Sequence, residues 1–210
     1  MQLLKFTSYL IVVSSLMGCI GNGTKSTNVD ANVESSIIEI PSQAAKDFTL
    51  AIGHMNQNKL DLAEKSFTKM TKDYPLLSGP FANLGVIYCK KGEWEKAQGF
   101  LISAVDKNSK NAKALNQLGY VYRQRGDFSN AEKSYKQAIS STPNEPAGYL
   151  NLGVLYDIYM GEFVKASQLY QKYQSLQSAP DRKVAGWIVD INRRAGISSK
   201  KTQIASEGIQ

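Results

Sequence analysis

Apolar and small residues recur along this chain every 34 residues, starting near residue 44. Leucines, rings and small side chains each occupy the same place in successive segments. Apolar positions at helical spacing within a repeat of this length predict pairs of antiparallel helices. The recurring positions are Leu50, Leu84, Leu118 and Leu152; Ala51, Gly85, Gly119 and Gly153; His54, Tyr88, Tyr122 and Tyr156; Ala63, Ala97 and Ala131; and Phe67, Leu101 and Tyr135.

Each recurring position has a physical role in such a helical hairpin. A small residue at the eighth position of a unit and an alanine at the twentieth let the two backbones approach closely. The leucine, the ring and the large residue at the twenty-fourth position fill the space around that contact. Turns are expected at Asn58, Gly92 and Gly126, where a left-handed residue ends the first helix. We therefore assign the recurring side chains to the core and give them no chemistry.

The period and its residues resemble the tetratricopeptide repeat (TPR), with its pattern W-x2-L-G-x2-Y…A-x3-F…P. The third unit, ALNQLGYVYRQRGDFSNAEKSYKQAISSTP, carries the pattern most clearly. The resemblance implies an all-α fold, a TPR α-α superhelix (solenoid) of about four helix-turn-helix repeats plus a C-terminal capping helix. The four repeats are predicted at residues 44–77, 78–111, 112–145 and 146–177.

The fourth unit departs from the common register. Gly161, Ala166 and Tyr170 each come one residue late, so the segment YDIYMGEF holds a single inserted residue. Loops tolerate insertions, which favours a slightly longer loop between the two helices. The alternative is a bulge near Tyr159 that serves a particular partner.

The segment after the fourth unit is predicted to cover the end of the array. Val184, Trp187, Ile188 and Ile191 share one helical face, and solenoids need such capping elements for solubility. We place the capping helix at residues 178–195, with a capping-box-like start at Ser178, and a disordered tail at residues 196–210.

The beginning of the chain follows another pattern. The apolar run at residues 6–16 is too short for a membrane-spanning helix, which needs about 20 residues, and has the length of a secretory signal. The sequence Leu16-Met17-Gly18-Cys19 resembles the bacterial lipobox. The resemblance implies a signal peptide at residues 1–18, a lipid on Cys19 and a flexible tether at 19–43. The following Ile20 favours, by the family's sorting rule, the periplasmic face of the outer membrane.

Composition and charge exclude several kinds of function. The formal net charge of +7 is dispersed, with no basic run long enough for a nucleic-acid groove. With Cys19 lipidated, Cys89 has no partner for an intrachain disulfide. The chain has one histidine, His54, and no zinc spacing, phosphate-binding glycine loop or nucleophile elbow. We therefore expect no enzyme activity, no small-molecule substrate and no cofactor beyond the covalent lipid on Cys19.

Binding is the activity that remains. In the TPR family the first helices of successive units line a concave groove, and the resemblance maps its positions onto a set of polar and basic residues. Amide side chains there can hold the backbone of an extended peptide, and cations can receive a carboxylate. The candidate peptide-binding residues are Asn83, Lys90, Lys113, Asn116, Gln117, Tyr120, Arg123 and Asn151.

These features predict an outer-membrane-anchored periplasmic TPR lipoprotein that acts as a scaffold or assembly factor for a cell-envelope complex. The chain resembles small TPR lipoproteins such as the pilotins of type IV pilus machines, which implies a role in pilus biogenesis. Its last unit also resembles repeat proteins that accompany TonB-type systems. The alternative is a periplasmic holdase-like or cell-wall-associated binding protein.

Overall fold

The computed structural model describes residues 40–197, and the regular structure in that range is entirely helical. The predicted signal peptide, Cys19, nearly all of the predicted tether, and residues 198–210 lie outside the described residues. No helix within 40–197 is both long and apolar enough to cross a bilayer. The helices are α1 (Ser42–Asn56), α2 (Leu60–Asp73), α3 (Ser78–Lys91), α4 (Trp94–Lys107), α5 (Ala112–Gln124), α6 (Phe128–Ser141), α7 (Pro146–Val154), α8 (Phe163–Ser175) and α9 (Arg182–Arg194).

The third unit shows why these sequences form helical hairpins. Asn111 begins α5 by accepting a hydrogen bond from the backbone N–H of Ala114 at 3.0 Å, and Asp127 begins α6 by accepting from Asn130 at 3.1 Å. Such side-chain caps satisfy backbone donors that a helix start leaves free. Between the caps, each helix buries one face and exposes the other.

The two helices of a unit touch where the eighth position is glycine. A Cβ added at Gly119 would lie 2.7 Å from the ring of Tyr135, and one at Gly153 would lie 2.6 Å from the ring of Tyr170. Gly85 meets Leu101 in the same way. The close approach predicted for this position is therefore confirmed, and the large residue at the twenty-fourth position fills the contact.

The turns within the units also follow the prediction. Asn58, Gly92 and Gly126 have φ values of 57°, 75° and 78°. Gly161 has the same left-handed conformation in the fourth unit, with φ 68°. Each turn ends a first helix without the steric cost that a branched residue would meet at positive φ.

Packing between units forms three apolar clusters along the array. In each, the repeated leucine of one unit joins the alanine and large residue of the unit before it: Leu84 with Phe67, and Leu118 with Leu101. The predicted core position of Leu50 is wrong, because Leu50 is 61% exposed. Within the described residues no unit precedes α1, so the partner surface for this leucine is missing.

The inserted residue of the fourth unit lies inside a helix, which corrects the expectation of a longer loop. The first helix of this unit continues from α7 into a π-helical segment, Leu155–Met160. In the third unit the N–H of Asp127 bonds to the carbonyl of Tyr122, five residues back. In the fourth, Glu162 bonds to Tyr156, six residues back. The wider turn absorbs the extra residue and leaves the glycine turn unchanged.

Helix α9 covers the end of the array but starts later than predicted. Asp181 is its N-cap and accepts hydrogen bonds from the N–H groups of Lys183 and Val184, so the helix begins at Arg182 and not at Ser178. Val184 and Ile191 are buried in the last apolar cluster, and the Trp187 ring lies 5.5 Å from that of Tyr170. The predicted all-α solenoid with a C-terminal capping helix is thus confirmed.

Candidate functional site

The predicted groove residues lie on α3, α5 and α7 and differ in how much of each is accessible. Lys90 and Lys113 are exposed. Asn116 is buried. The others are partly buried, namely Asn83, Gln117, Tyr120, Arg123 and Asn151. The candidate residues, which the repeat pattern assigns to one surface, therefore differ in their access to solvent.

The amide side chains among the candidates are partly engaged within the protein. The Nδ2 atom of Asn151 donates to Oδ1 of Asn116 at 3.1 Å, which links α7 to α5. Asn83 donates to the carbonyl of Gly79 on its own helix at 2.9 Å. These hydrogen bonds stabilise the stacking and the helix, so the amides hold fewer free donors than the sequence suggested. Gln117 and Lys113 are the polar candidates on α5 that reach solvent beside this link.

Arg123 lies in an aromatic surrounding near the turn end of α5. Its guanidinium carbon is 5.2 Å from the ring centroid of Tyr120 and 5.8 Å from that of Tyr159. Tyr120 in turn packs edge-on against Trp94, and the Tyr159 ring lies 5.1 Å from that of Phe128. We call Arg123, Tyr120, Tyr159 and Phe128 the Arg123 site.

The guanidinium of Arg123 is short of hydrogen-bond acceptors. Its Nε and Nη1 atoms are buried without a partner among the described residues, as is the hydroxyl of Tyr135. Burial raises the pKa of Tyr135, and the positive charge of Arg123 opposes that rise, so the phenol stays neutral at physiological pH. Cation–π contacts compensate part of the desolvation of the guanidinium but supply no acceptor for its N–H groups.

Asp157 occupies the position of the fourth unit that corresponds to Arg123 in the third, 34 residues earlier. It is 8% exposed and is engaged elsewhere. Its Oδ1 pairs with Nη1 of Arg194 at 3.0 Å, and its Oδ2 accepts from the hydroxyl of Tyr170 at 3.3 Å. This carboxylate therefore ties the capping helix to the fourth unit.

The π-helical segment supplies the part of the site that the candidate residues omitted. It carries Ile158, Tyr159 and Met160, three consecutive large side chains that are 65%, 42% and 39% exposed. The one-residue shift of Gly161 was the available signal, since it located an irregularity beside Tyr159. The unpaired nitrogen atoms of Arg123 had no counterpart in the sequence pattern.

Two residues with chemically versatile side chains, Cys89 and His54, are partly buried. Cys89 is partly buried, and burial raises the pKa of its thiol to about 11, which disfavours the reactive thiolate. The Nδ1 atom of His54 lies 3.5 Å from the Oγ atom of Ser66 in the helix that follows. Within residues 40–197, no group of three His, Cys, Asp or Glu side chains is placed to hold a metal ion.

Comparisons with known proteins agree with the fold. A family model described as "TPR repeat" matches residues 119–157, and one described as "Tetratricopeptide repeat" matches residues 81–113. The solved structure of MamA protein aligns with a TM-score of 0.61 at 22% identity, over 73% of this chain and 85% of that one. TTC0263, a thermophilic TPR protein in Thermus thermophilus, aligns with a TM-score of 0.59 at 24% identity, over 69% of this chain and 79% of that one.

Curated relatives match the same kind of repeat. Cellulose synthase operon protein C of Xanthomonas axonopodis pv. citri (strain 306) is 30% identical over 126 residues, which cover 56% of this chain and 8% of that protein. Photosystem I assembly protein Ycf3 of Prochlorococcus marinus (strain NATL1A) is 25% identical over 114 residues, 49% of this chain and 66% of that protein. The matched segment thus spans less than a tenth of the first relative and just under two thirds of the second.

The chain carries tetratricopeptide repeats at residues 81–113 and 119–157, and its described fold is of the TPR solenoid class. The helical hairpins, the glycine contacts and the two family models all lead to this class. Such repeats generally mediate protein–protein interaction or assembly, so a protein partner is the ligand that the class implies.

Proposed function

We propose that this protein is a lipid-anchored adaptor that captures a protein partner at the periplasmic face of the outer membrane and helps to assemble a cell-envelope complex. Its action is binding and not catalysis. The first helices of its repeats contact an exposed segment of the partner, and the lipid on Cys19 keeps the bound partner at the membrane. Two or more acyl chains give stable anchoring, and tethering raises the local concentration of the partner.

This proposal rests on the basic side chains of α3 and α5, the first helices of the second and third repeats. Lys90 and Lys113 are exposed on α3 and α5, and Arg123 has buried N–H groups without acceptors among the described residues. A partner segment that supplies carboxylate and carbonyl oxygens would pair with the two lysines and with the part of Arg123 that reaches the surface. The lipobox-like Leu16-Met17-Gly18-Cys19 supports the anchored location.

Two resemblances suggest which complex is assembled. A pilotin-like role would bring a secretin ring to the outer membrane, and a TonB-type role would serve an energised envelope complex. The match to a photosystem I assembly protein agrees with assembly as the general activity of such repeats. The holdase-like or cell-wall-associated alternative differs in predicting many clients in place of one.

The test places a photo-crosslinking amino acid at Gln117 on α5, and separately at the exposed Lys136 on α6 as a matched control. We expect one defined crosslinked partner from Gln117 and none from Lys136. The Cys19→Ala variant should move from the membrane fraction to the soluble fraction and lose most of that crosslink. A broad ladder of products from Gln117 would favour the holdase, and equal products at both positions would contradict a groove.

A further inference from the structure

We propose that the Arg123 site binds an acidic side chain of the partner, held next to an apolar partner residue that contacts the π-helical segment. This inference rests on the proposed binding function and specifies its chemistry. The occupant is a peptide segment that contains aspartate or glutamate beside a large apolar residue.

The guanidinium of Arg123 is incompletely hydrogen-bonded within the described fold. Arg123 keeps two buried N–H-bearing atoms without partners in residues 40–197. Asp157, which holds the equivalent place in the next unit, is neutralised by Arg194 and bonded to Tyr170. Because the two buried atoms of Arg123 are shielded from solvent, a partner carboxylate would bond to the part of the Arg123 side chain that reaches the surface, where a charge-assisted hydrogen bond is stronger than a neutral one.

The aromatic rings restrict the direction from which that acceptor comes. Tyr120 and Tyr159 contact the guanidinium, so they limit its rotation. A planar donor held in this way is pre-organised for a planar carboxylate, and less side-chain entropy is lost on binding. Because the residue is only partly buried, the part of the side chain that reaches the surface is where the acid approaches.

The apolar component of the ligand follows from the π-helical segment. Ile158 and Met160 flank Tyr159 in sequence and are both exposed. Three consecutive large side chains that are exposed offer apolar area to a ligand, and π-helical insertions are frequent at functional sites. Through this segment Tyr159 lies beside the cation of Arg123, and Ile158 and Met160 are its exposed neighbours in sequence.

The experiment selects binders from a random library of phage-displayed ten-residue peptides, using the full chain in detergent as bait. The probe for measurement is the peptide that is selected most often, together with its acid-to-amide variant. We expect Asp or Glu beside an apolar residue in the selected peptides. The amide variant should bind about thirtyfold more weakly, the loss typical when one member of a buried charge pair is removed.

Variants of the protein test whether the preference for the acidic peptide depends on Arg123. Arg123→Gln should bind the acidic peptide and its amide variant equally. Arg125→Gln is the matched control, because Arg125 is exposed and bonds to Gln98 at 2.7 Å. Arg123→Lys should recover part of the preference, since it keeps the charge but loses the planar fork. Melting followed by circular dichroism should be no lower for Arg123→Gln than for the unmodified chain.

The outcomes separate this inference from the proposed function. Selected peptides without an acid, or an acid preference that survives Arg123→Gln, would overturn the inference and leave partner binding in place. A library that yields no binder at all would overturn both. Binding that appears only after removal of residues 198–210 would assign the site to the chain's own segment, and so would overturn a partner as its occupant.

Discussion

The two ends of the array complete the apolar core in different ways. At the C-terminal end, Leu152 is 3% exposed, and α9 covers the fourth unit with Val184 and Ile191. At the N-terminal end, the equivalent Leu50 on α1 is 61% exposed. The residue type and the helical position are the same, and the burial is opposite.

The difference shows that an apolar residue at a repeated position is buried only when a neighbouring unit packs against it. Each unit supplies half of an interface, so stability in a solenoid is approximately a sum of units and of nearest-neighbour contacts. Leu152 is buried because it packs in a cluster with Ala131 and Tyr135 of the preceding unit. The same side chain on α1 adds little to the stability of the fold. Substitutions at the two ends should therefore separate the contribution of a unit from that of the contacts between units.

The largest effect is expected at the helix contact of the last unit. Gly153→Leu would force a branched side chain against the ring of Tyr170, which is buried and has no space to move. We expect a loss of about 4 kcal/mol or more in the free energy of unfolding, at the upper end for overpacked cores. Urea unfolding followed by circular dichroism measures it.

The control for this substitution is a glycine of α1 that has open space around it. A Cβ at Gly53 would meet nothing within 4 Å. Gly53→Ala should therefore raise stability by up to about 1 kcal/mol, through helix propensity and a more restricted unfolded chain. Equal effects of the two substitutions would mean that the fourth-unit contact is absent in solution.

A matched pair of leucine truncations tests the comparison directly. Leu152→Ala removes buried methyl groups and leaves a cavity, so we expect a loss of about 3 kcal/mol. Leu50→Ala should change the free energy of unfolding by less than about 0.5 kcal/mol, as for an exposed position. Chemical denaturation of both variants measures the two losses. A large cost at Leu50 would show that a further segment covers α1.

Sequence reasoning reached most of the fold because the information lies in local repetition. The spacing of 34 residues located the hairpins, and small residues at fixed positions located the helix contacts. The status of Leu50 was missed because the pattern says which face is apolar but not whether a neighbour exists to cover it. The start of α9 was missed because both Ser178 and Asp181 can cap a helix, and side-chain hydrogen bonds chose the second.

The sequence proposed candidate residues for the site but could not give their surroundings. Asn116 and Arg123 are both polar residues of α5, and nothing in their spacing separates an amide that bonds to Asn151 from a cation without an acceptor. The inserted residue could be detected in the sequence. Its place in the structure, however, depends on whether a loop or a helix accommodates it at the lower cost in free energy. The structure shows that the helix absorbs it, and Tyr159 then contacts Arg123.

The smallest expected effects concern two glutamates that join neighbouring units. Glu64 on α2 accepts from the hydroxyl of Tyr88 at 2.7 Å, and Glu132 on α6 accepts from that of Tyr156 at 2.6 Å. The pKa of each carboxyl is lowered, first by its lysine and then by its tyrosine. Each ionised group therefore adds stability above its unfolded pKa of about 4.3, and this is lost as the pH falls through the lowered folded pKa.

The two glutamates differ in where their lysine partners lie. Glu64 pairs at 2.7 Å with Lys91 of the next unit, whereas Lys136 lies on the same helix as Glu132. Glu64→Gln should thus cost about 1 kcal/mol at pH 7, and Glu132→Gln about half of that, because a glutamine still accepts from the tyrosine. Thermal melts from pH 7 to pH 3 should show both differences shrinking as the wild-type carboxylates are protonated. A difference that stays constant with pH would mean that packing, and not the charge on the carboxylate, links these units.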